Sequence, residues 1–164
     1  DAMKTAALAV ADASEAARAV ASTLSVKMQE GTLGKADASP VTVGDFAVQA
    51  VVCKRLMDAY PDDGVIAEES ADELRKPEGK ELLDLVVGFV RVVEPEATGE
   101  MVCDWIDRGL LREHRERYWT LDPIDGTKGF LRREQYAVCL ALVVEGRPVA
   151  AALGCPNLPL SLSP

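Results

Sequence analysis

The chain has 164 residues, of which 48% are hydrophobic and 27% charged, and its formal net charge is −9. This apolar content excludes an intrinsically disordered chain, and no apolar run approaches the roughly 18 residues that a membrane-spanning helix needs. The acidic excess has no polybasic block to offset it, which disfavours binding to nucleic acid polymers or anionic membranes. An acidic chain that handles an anionic substrate would need something to reverse the local charge, and a divalent cation is the obvious candidate.

The cysteines and the single histidine argue against a structural zinc site. Cys53, Cys103, Cys139 and Cys155 form no C-x-x-C pair, and His114 lies in a charged stretch where we expect it to be solvated. Apolar neighbours around each cysteine predict four buried free thiols and a reducing compartment. The alanine-rich N-terminal run lacks the pattern of a secretory signal, so we expect a cytoplasmic location, with an organelle as the alternative.

Hydrophobic periodicity predicts an alternation of helices and short strands. In chain order we expect a helix at 1–28, a polar loop at 30–40, a helix at 42–60, a strand at 65–67, a mobile charged loop at 72–79, helices at 81–93 and 98–111, a strand at 118–121, a glycine-containing turn at 124–134, and a hairpin of strands at 136–144 and 149–153. Trp105 and Trp119 are expected in the core. This order predicts an α+β fold in which helices are layered on a mostly antiparallel sheet.

The turn after the second predicted strand, at 118–121, carries two aspartates at the spacing D-P-x-D. Asp122 and Asp125 end the strand, Pro123 fixes the turn between them, and Gly126 allows close approach of the backbone to a ligand. Carboxylates at this spacing can converge on one Mg²⁺ ion, which prefers hard oxygen ligands. Taken alone, the pattern is more typical of solvated aspartates that cap a strand end.

Two further acidic positions also lie where apolar elements begin or end. Glu68 and Glu69 follow the short strand at 65–67, and Asp45 lies three residues after Thr42 in a helix-start pattern. Each has an ordinary explanation, a solvated surface pair or an acid that favours a helix start. Together with Asp122, these positions predict one acidic site.

Five segments of the chain resemble the lithium-sensitive, magnesium-dependent phosphatase superfamily of inositol monophosphatase. They are Ser39–Asp45, Gly64–Ser70, Trp119–Phe130, Gln135–Leu142 and Gly154–Leu158. The W-x-x-D-P-I-D-G-T signature from Trp119 is specific to this superfamily. The continuation Lys128–Arg132 is similar to the 3′(2′),5′-bisphosphate nucleotidase branch.

The resemblance implies a role for each matching residue. It implies that Mg²⁺ is bound by Glu68, Asp122, Asp125 and the Ile124 carbonyl. It implies that Asp45 and Thr127 activate the attacking water, that Gly126, Thr127 and Lys128 face the phosphate, and that Glu69 supports the ligands without binding the ion directly. The implied reaction removes the 3′-phosphate of 3′-phosphoadenosine 5′-phosphate, with Mg²⁺ as cofactor and lithium as an inhibitor.

The resemblance covers only the first half of a family member. It implies that residues 1–164 form the N-terminal α+β metal-binding domain of the sugar-phosphatase fold, and that the C-terminal α/β domain is absent. We therefore expect an exposed sheet through which copies of the chain self-associate. Two alternatives stay open, an inositol phosphate phosphatase with the same metal site and an inactive fragment that acts as a binding module.

Overall fold

The computed structural model describes residues 1–29, 39–113 and 115–159. Most of the predicted polar loop and the predicted solvation of His114 fall outside these residues. Within them, the chain forms five α-helices and one sheet of four strands, so the predicted α+β class is confirmed.

The bounds of the elements follow the predicted order. The helices are α1 (Ala2–Gln29), α2 (Pro40–Ala59), α3 (Lys80–Val90), α4 (Gly99–Asp107) and α5 (Thr127–Arg132), with a 3₁₀ turn at Pro77–Gly79. The strands are β1 (Gly64–Ile66), β2 (Arg117–Asp125), β3 (Ala137–Val144) and β4 (Arg147–Gly154). No helix in these described ranges has both the length and the apolar character needed to cross a bilayer.

The four strands form one sheet in the order β1-β2-β3-β4. The β2–β3 and β3–β4 pairs are antiparallel, as predicted, whereas β1 runs parallel to β2. Because β1 and β2 are parallel, their carboxyl ends lie at the same edge of the sheet. The acidic segments that follow them are therefore brought to one place.

The core lies between the sheet and the two long helices. Helix α1 presents a stripe of small residues to α2, and its buried alanines are Ala6, Ala9, Ala13, Ala16, Ala17 and Ala21. Small side chains allow the two helix axes to approach closely, as the alanine-rich pattern predicts. Trp119 on β2 is fully buried and Trp105 on α4 nearly so, which confirms their expected place in the core.

The predicted start of α2 is wrong by two residues. The helix begins at Pro40, with Ser39 before it, and not at Thr42. Proline suits the first helical position because its missing N–H would have no partner there. The helix is also buried over all of residues 46–53, so it is a central helix with no single apolar face.

Two further predicted boundaries differ because of tertiary contacts. The segment at 72–79 forms turns and the 3₁₀ turn at Pro77–Gly79, and it packs on the core through Leu74 and the adjacent Ala71, both buried. Its predicted mobility stays a prediction. Helix α4 ends at Asp107 because the residues after it pair with β1: the Ala67 N–H donates to the Gly109 carbonyl, and the Leu111 N–H donates to the Val65 carbonyl.

The prediction of four buried thiols is only half right. All four cysteines are free, and Cys53 and Cys103 are buried. Cys139 is half-buried and Cys155 is exposed, because both lie on or beside the sheet face that the helices do not cover.

Candidate active site

The parallel pairing of β1 and β2 brings Glu68 to Asp122. Ile66 lies opposite Thr120 in the register. Continuing this register by two residues places Glu68 beside Asp122, just beyond the end of β1. Two carboxylates that are 54 positions apart in the sequence thus become neighbours at one edge of the sheet.

A β-bulge places Asp122 and Asp125 on the same face of the sheet. Asp122 lies opposite Cys139 and Asp125 opposite Ala137, so two residues of β2 oppose one residue of β3. Residues three apart in a regular strand would point to opposite faces, and the inserted residue corrects this. The predicted strand end at Leu121 is therefore wrong, because β2 continues through this bulge to Asp125.

Helix α2 supplies the third acidic segment. Gly44 packs so closely on the bulged end of β2 and on α5 that a Cβ at this position would lie 2.5 Å from Ile124 Cδ1 and 3.1 Å from Phe130 Cζ. This contact brings the next residue, Asp45, to the acidic edge of the sheet. Asp45 is half-buried there.

The residues that follow Asp125 turn the chain into α5. Gly126 has a left-handed backbone conformation with a φ of 95°, which a residue with a side chain would rarely adopt. The Phe130 N–H donates to the Gly126 carbonyl at 3.0 Å, and the Phe130 ring is fully buried. Thr127 and Lys128 are consequently held at the exposed start of α5, next to the acidic segments.

The carboxylates of the site raise one another's pKa values. Burial raises the pKa of Asp45 from 3.8 to about 7, with further contributions from the charges of Glu69, Glu68 and Asp122. Burial, and then the charge of Glu68, raises the pKa of Glu69. For Asp122 the causes are burial and then the charges of Glu68 and Asp125, against a hydrogen bond from the Ile124 amide that lowers the pKa.

This donor set fits a hard divalent cation. It offers carboxylate and carbonyl oxygens only, the ligands that Mg²⁺ prefers, and a bound cation would relieve the mutual repulsion of the carboxylates. Within the described residues, no three acidic, histidine or cysteine side chains already stand in a coordinating geometry. Glu68 and Asp125 are exposed, so their side chains have room to turn toward an ion.

The structure thus brings together Asp45, Glu68, Glu69, Asp122 and Asp125, with Gly126, Thr127 and Lys128 beside them. The predicted contact between Asp45 and Thr127, the binding of an ion by the Ile124 carbonyl, and the contacts to phosphate stay predictions.

Sequence reasoning missed one polar residue next to this cluster, Gln49. It is fully buried, and its side chain hydrogen-bonds to the backbone of Glu69. The signal was available, because Gln49 is the only polar residue in the apolar segment 46–53 of α2. It lies one helical turn after Asp45.

The fold and the site together define an α+β domain with a cation-attracting acidic centre at one edge of its sheet. The model of the inositol monophosphatase family matches residues 1–162. The chain therefore belongs to the inositol monophosphatase family.

Curated relatives carry the name 3′(2′),5′-bisphosphate nucleotidase. The protein of that name from Schizosaccharomyces pombe is 46% identical over 81% of this chain and 40% of its own length. The Dictyostelium discoideum protein is 42% identical over 82% of this chain and 41% of its own length. A nucleotidase of Candida albicans is 37% identical over 95% of this chain and 46% of its own length. The chain thus spans less than half the length of these relatives.

Proposed function

We propose that this chain carries the catalytic site of a magnesium-dependent phosphomonoesterase. In the proposed reaction, water and 3′-phosphoadenosine 5′-phosphate give AMP and inorganic phosphate. The observation that carries the proposal is the meeting of carboxylates from three separate segments, at Asp45, Glu68 and Asp122, in a chain of this family. The names of the curated relatives support the choice of substrate.

Glu68, Asp122, Asp125 and the Ile124 carbonyl would hold the cation. When bound, Mg²⁺ supplies positive charge that neutralises phosphate oxygens and favours ionisation of water. The protein's own part is positioning, since phosphoryl transfer needs little covalent help. The bulge in β2 performs this task for Asp122 and Asp125 by placing both on one face.

Thr127 and Asp45 would handle the proton of the attacking water. A threonine hydroxyl can orient water but is a poor base, so a neighbouring carboxylate must accept the proton. Asp45 suits this role because it is half-buried, and because the residue before it, Gly44, packs against Phe130 of α5. Gly126 and Lys128 would face the phosphate, and Glu69 would support the ligands from behind.

Two alternatives remain distinct from this proposal. The family description favours an inositol phosphate as a second substrate class. The third candidate is an inactive binding module, because the chain matches less than half the length of the curated relatives. A cytoplasmic location stays a prediction.

Phosphate release separates these alternatives. We expect the chain to release phosphate from 3′-phosphoadenosine 5′-phosphate with Mg²⁺ and not with chelator, and to release less from inositol phosphates. Asp122→Asn and Asp125→Asn should abolish the release, because each removes charge from the cation site. Asp84→Asn, at an exposed aspartate of α3 paired with Lys80, is the matched control and should leave the rate unchanged.

The opposite pattern would count against the proposal. Faster release from inositol phosphates would favour the second substrate class. Magnesium binding without any release would favour the binding module, and a full rate in Asp122→Asn would refute the assignment of the site.

A further inference from the structure

Gln49 binds the backbone of Glu69 through both ends of its side-chain amide. Its Nε2 donates to the Glu69 carbonyl at 2.7 Å, and its Oε1 accepts from the Glu69 N–H at 3.0 Å. This is the pair of bonds that a neighbouring strand would make. Gln49 therefore takes the place of a strand at the point where β1 has ended and the acidic segment begins.

The same side chain ties this segment to α4. Gln49 Nε2 also donates to the Ile106 carbonyl at 2.8 Å, in the last turn of that helix. Gln49 is fully buried, and a buried amide is costly unless its polar atoms have partners. Three hydrogen bonds meet that need and leave the side chain one favourable position.

The surroundings of the amide are closely packed. A Cβ at Gly109 would lie 2.7 Å from Gln49 Nε2 and 2.8 Å from Ala67 Cβ. The Gly109 carbonyl accepts from the Ala67 N–H at 2.9 Å, so the chain leading to Glu68 is held on this side too. The backbone on both sides of Glu68 is consequently fixed.

We propose that Gln49 is a positioning residue of the acidic site. By fixing the Glu69 backbone, it sets the directions in which the Glu68 and Glu69 carboxylates leave the chain. Gln49 and Asp45 lie on the same face of α2 because they are four residues apart, so one helix holds both sides of the site. This inference rests on the proposed function, since it concerns the site's affinity for Mg²⁺.

Gln49→Met tests this role because it keeps the volume and removes all three hydrogen bonds. We expect the Glu69 amide to lose protection from hydrogen exchange, while the Ala67 amide, which donates to Gly109, keeps its own. We also expect the dissociation constant for Mg²⁺, measured by calorimetry, to rise roughly 10–100-fold, as it does when groups behind metal ligands are removed.

Leu56→Ala is the matched control, because Leu56 is equally buried on α2 but lies seven residues further on. It should lower the thermal stability and leave both readouts unchanged. Gly109→Ala is the second variant, and it crowds the amide without removing it. It should weaken Mg²⁺ binding in the same direction, and it keeps the test open if Gln49→Met fails to fold.

The outcomes separate this inference from the proposed function. If the wild type binds Mg²⁺ and Gln49→Met binds it with the same affinity, the positioning role alone is overturned. The same holds if Leu56→Ala weakens Mg²⁺ binding as much as Gln49→Met does. A wild-type chain that binds no Mg²⁺ would overturn the proposed function and this inference with it.

Discussion

At the scale of single residues, Asp45 is the carboxylate of the site whose ionised form is most strongly disfavoured. Burial and the charges of Glu69, Glu68 and Asp122 raise its pKa from 3.8 to about 7. Between these two values the folded chain keeps a proton that the unfolded chain has released. The ionised carboxylate is therefore tolerated in the fold only at a cost, which a bound cation would offset.

The raised pKa of Asp45 predicts that the stability of the metal-free protein depends on pH. The contribution of a protonated Asp45 is fully present below about pH 4 and is lost as the pH rises through about 7, since an acid with a raised pKa favours the fold in its protonated form. Asp45→Asn removes this loss. We expect the variant to be more stable than the wild type at pH 8 by about 1–2 kcal/mol, a figure reduced for solvent screening.

Urea denaturation in the presence of chelator, at pH 5 and pH 8, measures this difference. Asp62→Asn, at an exposed aspartate outside the site, should show no such gain at pH 8. If Asp45→Asn is no more stable than the wild type at pH 8, burial and the neighbouring charges do not penalise the ionised Asp45 carboxylate as described.

The acidic residues could be predicted from the sequence, and their support could not. Asp45, Glu68 and Asp122 each stand where an apolar element begins or ends, and that position is visible in the sequence. The role of Gln49 depends on backbone groups 20 and 57 residues away. No local pattern contains that information.

At the scale of elements, the approach of α2 to the bulged end of β2 and to α5 places Asp45 at the site. Gly44 makes this approach possible, because Ile124 and Phe130 fill the space where a side chain would lie. The contact joins the start of α2 to the bulge and to α5. A side chain at position 44 should therefore change the stability of the fold.

Gly44→Ala should destabilise the fold although alanine favours helices. The added methyl must displace Ile124 and Phe130, and overpacking of this kind costs about 1–3 kcal/mol. The matched control is Gly88→Ala in α3, where an added Cβ meets nothing within 4 Å. That change should stabilise the chain by roughly 0.5–1 kcal/mol.

Thermal or urea unfolding of the two variants measures these opposite effects. If Gly44→Ala gains stability as Gly88→Ala does, then α2 does not pack on Ile124 and Phe130 as closely as described. A loss of Mg²⁺ affinity confined to Gly44→Ala would further tie the contact to the site.

The type of most elements followed from the sequence, whereas several boundaries depended on tertiary contacts. Periodicity predicted helices α1 to α4 and all four strands in the right order, but α5 lies in a segment that was predicted as a glycine-containing turn. Periodicity missed the bulge between Asp122 and Asp125, because the register is set by pairing with β3. It also extended α4 too far, because residues 109–111 pair with β1 in place of continuing the helix.

At the scale of the whole molecule, the helices of the described ranges cover one face of the sheet and leave hydrophobic residues exposed on the other. Val149 and Leu153 on β4 are 56% and 67% exposed, and Ile66 on β1 is 38% exposed. The sequence analysis predicted this exposed sheet face, because the resemblance covers only the first half of a family member. Self-association through it stays a prediction.

The net charge of −9 is distributed unevenly over the molecule. Part of the acidic excess is gathered at one edge of the sheet, where carboxylates repel each other and raise their pKa values. In the proposed function, cations bound at this centre reverse its charge and so attract an anionic phosphate. The proposed function therefore depends first on the claim that the chain binds magnesium.

A calorimetric titration of the wild-type chain with Mg²⁺, beside the double variant with Asp122→Asn and Asp125→Asn, tests this claim most directly. We predict saturable binding by the wild type and none by the variant, while both remain folded by circular dichroism. Absence of binding by the wild type, or equal binding by the two proteins, would contradict the assignment of the acidic edge as the metal site.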